Sequence, residues 1–188
     1  MGFATLVENR DDNTGGHIKR TTAYVRMLAE ELRIRGLYKK QLTGDYIKNL
    51  VMDAPMHDVG KIAIPDAILQ KPGKLTSEEF DIMKTHAARG GKIIRETFGH
   101  LGDDEYEKMA YEVARHHHEK WNGRGYPDGL SQKEIPLSAR IMAVADVFDA
   151  VSAKRCYRDA LPLEECFRII ENGSGQDFDP VIAGCFLT

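Results

Sequence analysis

The chain has 188 residues, 42% of them hydrophobic and 29% charged, so it is long enough to bury the core of one globular domain. The net charge of -3 disfavours polymeric nucleic acid and an acidic membrane surface as partners. We predict a cytoplasmic protein, because no apolar run approaches the roughly 20 residues of a membrane span and the start of the chain lacks signal-peptide features.

Apolar residues recur at helical spacing through the first part of the chain. We predict a first helix from about Thr14 to Gly36. A second helix is predicted from about Asp45, with a kink in its last turn at Pro55. The segment 62–73, punctuated by Pro and Gly, reads as an irregular connection.

The second part of the chain continues the helical pattern. Thr76 and Glu79 form a capping box that predicts a helix start, and that helix carries Phe80, Met83, Ala87 and Ile94. Pro136 is placed to open another helix. Further helices are predicted over 104–118, 163–171 and 180–186, with a Gly-rich loop over 121–129. Since no segment alternates for long as a strand does, the predicted fold is an all-α helical bundle.

Four of the seven histidines fall on apolar helix faces or at inward helix ends, namely His17, His57, His86 and His117. A single buried histidine is usually a structural residue with a satisfied hydrogen bond. Several helices that each deliver a histidine to one interior are harder to explain in that way. Helical bundles build metal sites from side chains on facing helices, so the pattern predicts a metal site in the bundle core.

Carboxylates and a lysine accompany these histidines. Asp58 follows His57 directly, and neighbouring residues of a helix point about 100° apart, so Asp58 either shares a metal near the helix end or bridges two metals. Lys61 lies one turn later, where it could neutralise a phosphate oxygen. The alternative is an Asp–Lys surface pair. Asp146, on a strongly apolar helix, is expected to bind metal or to pair with Arg140.

Histidine and carboxylate ligands together suit Mn, Fe, Ni or Zn better than Mg or Ca. Two such ions about 4 Å apart can activate a water molecule and clamp the attacking and leaving oxygens of a phosphodiester. That chemistry needs no protein nucleophile, and the sequence contains no serine elbow, Cys/His signature or Walker loop.

Two motifs carry a resemblance to a known family. The stretch from His57 to Lys61, HDVGK, resembles the HDxGK motif of HD phosphohydrolases. Residues 117–127, HHEKWNGRGYP, resemble the HHExxxGxGYP segment of the HD-GYP family. The resemblance extends from about Glu8 to Phe186. It implies that residues 1–188 form one HD-type helical domain, either stand-alone or a module that follows an N-terminal regulatory domain.

The resemblance also implies a function. The family hydrolyses cyclic di-GMP to pGpG or onward to GMP through a metal-activated hydroxide, with two or three metal ions that are usually iron or manganese. Lys61 and Asp58 take catalytic roles in this interpretation. The implied metal ligands are His17, His57, Asp58, His86, His117, His118 and Asp146.

Other matching positions imply contacts with substrate and partners. Gly125, Tyr126 and Pro127 are expected to shape substrate binding and contacts with signalling proteins. Arg155 and Arg158, three residues apart, match positions that hold the phosphates and bases of the substrate. Spacing of three places two side chains on one helix face, and guanidinium groups suit phosphate. A homodimer is compatible with the sequence.

The sequence departs from the family pattern at two positions. Asn13 stands where the family usually has glutamate, and an amide is the poorer ligand for a cationic cluster. We therefore expect two ions rather than three. Cys156 stands where the family usually has proline, and packing as a small hydrophobe explains it. His100 and His116 are expected to be bystanders.

Two other functions compete with this interpretation. One is an HD hydrolase that acts on another cyclic dinucleotide, such as cyclic GMP-AMP, or on a nucleotide. The other is a receptor that binds a cyclic dinucleotide or a partner protein without turnover. The intact set of metal-type residues disfavours the receptor, and the segment from His117 to Pro127 disfavours a simple nucleotidase.

Overall fold

The structure, a computed structural model, describes residues 7, 10, 16–99, 104–154 and 160–188, with the backbone alone for 104–106. The described residues contain eight α-helices and three short 3-10 turns, and a bridge between Ser174 and Phe178 is the one strand-like pairing among them. The helices are α1 His17–Ile34, α2 Gly44–Asp53, α3 Asp66–Leu69, α4 Ser77–Phe98, α5 Asp104–His116, α6 Leu137–Ser152, α7 Leu163–Gly173 and α8 Pro180–Phe186. The 3-10 turns are Ala54–Met56, Val59–Ala63 and Gln132–Glu134. The predicted all-α fold is confirmed.

The bundle is organised around α6, which is apolar on nearly every side. Residues from Leu137 to Ala145 along this helix are all buried, as expected for a helix at the centre of a bundle. Helices α1, α5, α7 and α8 pack against it. A second, smaller core lies between α4, α5 and the turns at 54–63, and it consists of Met56, Val59, Ile94, Ala110 and Ala114. These packing contacts bring the motif-bearing elements together.

Several predicted helix boundaries need correction. The second helix ends at Asp53, and Pro55 lies in the following 3-10 turn instead of kinking a continuous helix. Proline has no N–H to continue the helical ladder. Helix α5 ends at His116, so His117 and His118 lie just beyond it. The predicted irregular connection over 62–73 contains the one-turn helix α3.

The capping box predicted for Thr76 and Glu79 is confirmed, with both reciprocal hydrogen bonds formed. Phe80, however, is 50% exposed, because it lies in the first turns of α4, before the part of that helix that is buried. Arg140 does not pair with Asp146. Its guanidinium instead forms a buried ion pair with Asp179 at 2.6 Å.

Among the described helices, none is long and apolar enough to cross a bilayer.

Candidate metal centre

Four histidine rings present the same nitrogen to one interior space. The Nδ1 atoms of His57, His86 and His117 lie 2.8, 2.8 and 2.9 Å from the backbone carbonyls of Ala54, Met83 and Val113. A ring nitrogen next to a carbonyl oxygen must carry the proton and donate it, which leaves Nε2 as the nitrogen that can face a metal ion. A metal-bound histidine is held in the same orientation when its other ring nitrogen donates to a backbone carbonyl.

The Nε2 atoms of the four rings face one another in two pairs. Those of His17 and His57 are 3.0 Å apart, and those of His86 and His117 are 3.4 Å apart. Among the described residues, two groups have ligand atoms within 4.8 Å of one another: His17, His57 and Asp146, and His86, His117 and His118. The chain therefore contains His and Asp clusters that could hold metal.

Asp58 lies between the two groups and directs one oxygen to each. Its Oδ2 is 3.4 Å from His57 Nε2, while its Oδ1 is 3.5 Å from His86 Nε2 and 4.0 Å from His117 Nε2. Imidazole nitrogens with carboxylate oxygens form a donor set that fits divalent transition metals. Asp58 could therefore contribute one oxygen to each group, which is the second of the two arrangements that adjacency to His57 allowed.

Lys61 is held close to this carboxylate. Its Nζ is 2.7 Å from Asp58 Oδ2, and both side chains are at most one-fifth exposed, so they do not form a solvated surface pair. The 3-10 turn that carries Lys61 is clamped by two arginines. Arg10 donates to the carbonyls of Ile62 and Ile64, and Arg89 donates to the carbonyl of Ala63. Guanidinium groups thereby satisfy carbonyls that a longer helix would have paired.

Gly60 explains how this turn can approach α4 so closely. A Cβ atom at this position would overlap the carbonyl oxygen of His86 and lie 2.5 Å from the backbone N of Gly90. Only glycine allows such an approach of backbone to backbone. The glycine of the HDxGK motif is therefore needed to bring Asp58 and Lys61 beside His86.

Burial and neighbouring charges set the protonation of the rings. Burial lowers the pKa of His118 to about 3, lowers the pKa of His86, and holds that of His117 well below its ordinary value. These three imidazoles are neutral at neutral pH, which is the metal-binding form. Burial also opposes the charged form of His57, but the carboxylates of Asp58 and Asp146 outweigh it and raise the pKa of His57 to about 9.

Asp58 stays ionised in this environment. Burial opposes its ionisation, yet the charges of Lys61 and His57 keep the pKa of Asp58 well below its usual value. The site therefore contains an ionised carboxylate, Asp58, that attracts the positive charges of Lys61 and His57.

His17 is oriented by a side chain that the sequence did not single out for this role. Its Nδ1 lies 2.7 Å from Asp149 Oδ2, and Arg20 holds the other oxygen of that carboxylate at 2.6 Å. Asp149 is almost fully buried. Its position three residues after Asp146, on the same face of α6, is the signal that could have revealed it.

The loop residues of the second motif lie beside the His86 group. The ring centroid of Tyr126 is 4.8 Å from that of His118, and the Tyr126 N–H donates to the His118 carbonyl at 3.2 Å. His116 belongs to neither group. Its Nε2 lies 3.1 Å from the Asp128 carboxylate, so it contacts the loop instead. Asn13, His100, Arg155, Cys156 and Arg158 lie outside the described residues.

Comparison with known proteins agrees with this architecture. Residues 3–182 match the HD domain family. The chain is also similar to a solved structure of an HD-GYP protein from Bdellovibrio bacteriovorus, Bd1817, with a TM-score of 0.62 and 20% identity over 90% of this chain and 51% of that one. At that identity the likeness concerns the fold alone.

Curated relatives from Vibrio cholerae serotype O1 are more similar in sequence. A cyclic di-GMP phosphodiesterase is 46% identical over 187 residues, which cover this whole chain and 38% of that protein. A 3'3'-cGAMP-specific phosphodiesterase 2 is 41% identical over 185 residues, 98% of this chain and 33% of that protein. The chain thus spans less than two-fifths of the length of either relative.

Proposed function

This chain belongs to the HD domain family, in its HD-GYP branch, and we propose that it is a metal-dependent phosphodiesterase that hydrolyses cyclic di-GMP. The observation that carries the proposal is the arrangement of two three-residue groups with Asp58 between them. The Nε2 atoms of four of the histidines, His17, His57, His86 and His117, are turned inward. A phosphodiester bound across such a pair of ions would meet positive charge on both sides. The expected product is pGpG, with GMP as the product of a second step.

The metal ions would be held by the residues of the two groups. His17, His57 and Asp146 would hold one ion, and His86, His117 and His118 the other, with Asp58 shared. When bound, divalent ions supply Lewis-acid polarisation of the phosphodiester and lower the pKa of water. The mixture of nitrogen and oxygen donors suits Mn, Fe, Ni or Zn, and the family resemblance favours Fe or Mn among these.

The chain's own residues have separate tasks in this proposal. The backbone carbonyls and Asp149 fix the tautomer and direction of the rings. Lys61, whose ammonium lies beside Asp58, would donate hydrogen bonds to a non-bridging phosphate oxygen and offset its charge as the bond to phosphorus breaks. Gly125, Tyr126 and Pro127, beside His118, would shape one wall of the substrate site.

The decisive experiment is a product analysis with two substrates in parallel. Purified protein of known metal content is incubated with cyclic di-GMP and with 3'3'-cyclic GMP-AMP, and the products are separated by chromatography. Formation of pGpG supports the proposal. Hydrolysis of cyclic GMP-AMP alone would reassign the substrate within the same chemistry. A metal-loaded protein that binds either compound without turnover would instead be a receptor.

We expect Arg155→Ala and Arg158→Ala to raise the Michaelis constant with little change in turnover number. Each substitution removes a charge-assisted hydrogen bond to substrate, worth about 1.5–3 kcal/mol, which corresponds to roughly a tenfold to hundredfold weaker interaction. Steady-state kinetics measures both constants, and Arg168→Ala, on the exposed surface of α7, is the control. An unchanged Michaelis constant in both variants would place the substrate elsewhere.

Asn13 leads to a second expectation, namely two metal ions per chain. Asp58, Asp146 and a hydroxide offset the charge of two divalent ions better than that of three. Because the terminal phosphate of pGpG carries extra negative charge, a third cation would help most in its cleavage, so GMP should accumulate slowly. Asn13→Glu should raise both metal content and GMP yield, measured by elemental analysis and chromatography. Three ions in the unmodified protein would contradict the expectation.

A further inference from the structure

A buried carboxylate next to the histidine pair holds the loop that follows it. Glu119 is 3% exposed. Its Oε1 accepts the backbone N–H groups of Asp128 and Gly129 at 2.7 and 3.1 Å, and its Oε2 accepts that of Leu130 at 3.0 Å. Charge-assisted hydrogen bonds of this kind are stronger than neutral ones. Both oxygens of Glu119 thus bind the end of residues 122–130, here called the GYP loop.

The same loop lies directly on the chain that supports it. A Cβ atom on Gly125 would collide with the backbone of Glu119 and Lys120, 2.6 Å from the Glu119 carbonyl carbon. The next residue, Tyr126, donates its N–H to the His118 carbonyl and sets its ring against the His118 ring. The loop therefore leaves the histidine pair, folds back across it, and is anchored where it ends.

A second anchor acts on the outer side of the loop. Arg115 forms two hydrogen bonds to the carboxylate of Asp128, at 2.6 and 2.7 Å, and His116 Nε2 lies 3.1 Å from the same carboxylate. These contacts hold the Asp128 side chain, while Glu119 holds the backbone. Glu119 belongs to neither of the groups close enough to share an ion among the described residues, and all three hydrogen bonds that its carboxylate accepts come from the end of the loop.

We propose that Glu119 is a positioning residue that fixes His118 in the His86 group by holding the GYP loop across it. The proposal rests on the proposed function only where it treats that group as a metal site. His118 lies beyond the end of α5, so the helix does not constrain it as it does residues before His116. Tyr126 supplies that constraint, and Glu119 keeps Tyr126 in place.

Glu119→Gln tests the proposal because it keeps the size of the side chain and replaces one oxygen with an NH2 group. At least one of the three backbone N–H groups then faces a donor instead of an acceptor. We expect faster amide hydrogen exchange across residues 122–130. We also expect about tenfold weaker binding of one Mn²⁺ ion, the lower end of what the loss of supporting contacts costs metal sites, with the other ion unaffected. Mass spectrometry and calorimetric titration of the full chain measure the two effects.

Two further variants make the result interpretable. Glu134→Gln removes a carboxylate that accepts the Ser131 N–H at the exposed end of the same region, and it should change neither Mn²⁺ affinity nor exchange in 122–130. Gly125→Ala displaces the loop without altering the carboxylate, and it should weaken the same Mn²⁺ ion even if Glu119→Gln folds poorly.

Unchanged exchange in Glu119→Gln would overturn the anchoring role. Faster exchange with unchanged Mn²⁺ affinities, or an unmodified chain that binds no Mn²⁺, would overturn the positioning of His118. Neither measurement uses a nucleotide. Failure of the unmodified protein to hydrolyse cyclic dinucleotides would therefore contradict the proposed function alone.

Discussion

Replacing Asp58 with alanine is expected to remove both metal ions and to lower hydrolysis at least about a thousandfold, while the helical bundle stays folded. Among the described residues, Asp58 is the carboxylate that directs one oxygen to each group, so its loss should weaken the binding of both ions. A metal ion contributes several kcal/mol of transition-state stabilisation, and about 1.4 kcal/mol corresponds to a factor of ten in rate. His57→Ala is expected to have the same outcome.

The bundle survives these substitutions because its apolar cores do not include Asp58. Elemental analysis, an assay with cyclic di-GMP and circular dichroism together check the prediction. Asp81→Ala, a carboxylate on the exposed face of α4 that pairs with Lys84, is the matched control. A variant at Asp58 with full activity and normal metal content would refute the assignment of the site.

Lys61→Ala is expected to retain both metal ions and to lose about a hundredfold to a thousandfold in turnover number, the range found when one preorganised donor to a developing anion is removed. A protonated lysine cannot ligate a metal, and its positive charge opposes the approach of cations, so metal content should not fall. The Michaelis constant should change less than the turnover number, because the charge on the phosphate grows in the transition state.

The control for Lys61→Ala is Lys92→Ala, which removes an exposed lysine that lies near Glu96. Metal analysis and steady-state kinetics on the same preparation distinguish a lysine that acts on the substrate from one that stabilises the metal site. Loss of metal together with activity would show that the lysine stabilises the site through Asp58 rather than acting on the substrate.

Much of the fold could be predicted from the sequence because helical periodicity is a local property. Buried positions such as Val25 and Leu32 in α1, or Ile141 and Val144 in α6, follow directly from the 3.6-residue repeat. Phe80 shares the helical spacing of Ala87 and Ile94 in α4 yet is half exposed, because a repeat gives the face of a helix but not how far along its length a neighbouring helix covers it. How much of the helix is buried depends on tertiary packing.

The candidate ligands were predictable to a similar extent, whereas the contacts that orient them were not. Motif spacing singles out His57, Asp58 and His117. The bond between His17 and Asp149 joins residues 132 positions apart, and no local pattern encodes such a pair. Arg140 illustrates the converse. Its closeness in sequence suggested Asp146 as its partner, but the packing of α8 places Asp179 beside it instead.

The way the rings are anchored has a consequence for the evolution of this site. His57, His86 and His117 are oriented by carbonyls of the main chain, which every amino acid supplies, so no point substitution at the anchoring residue deletes the acceptor. Only His17, among these four, depends on a replaceable side chain, Asp149. Genetic drift can therefore alter the residues that support three of the rings without reorienting them. A substitution at Asp149 would instead release the His17 ring, so under the proposed function the His17 group is where a descendant of this protein would first lose a metal ion.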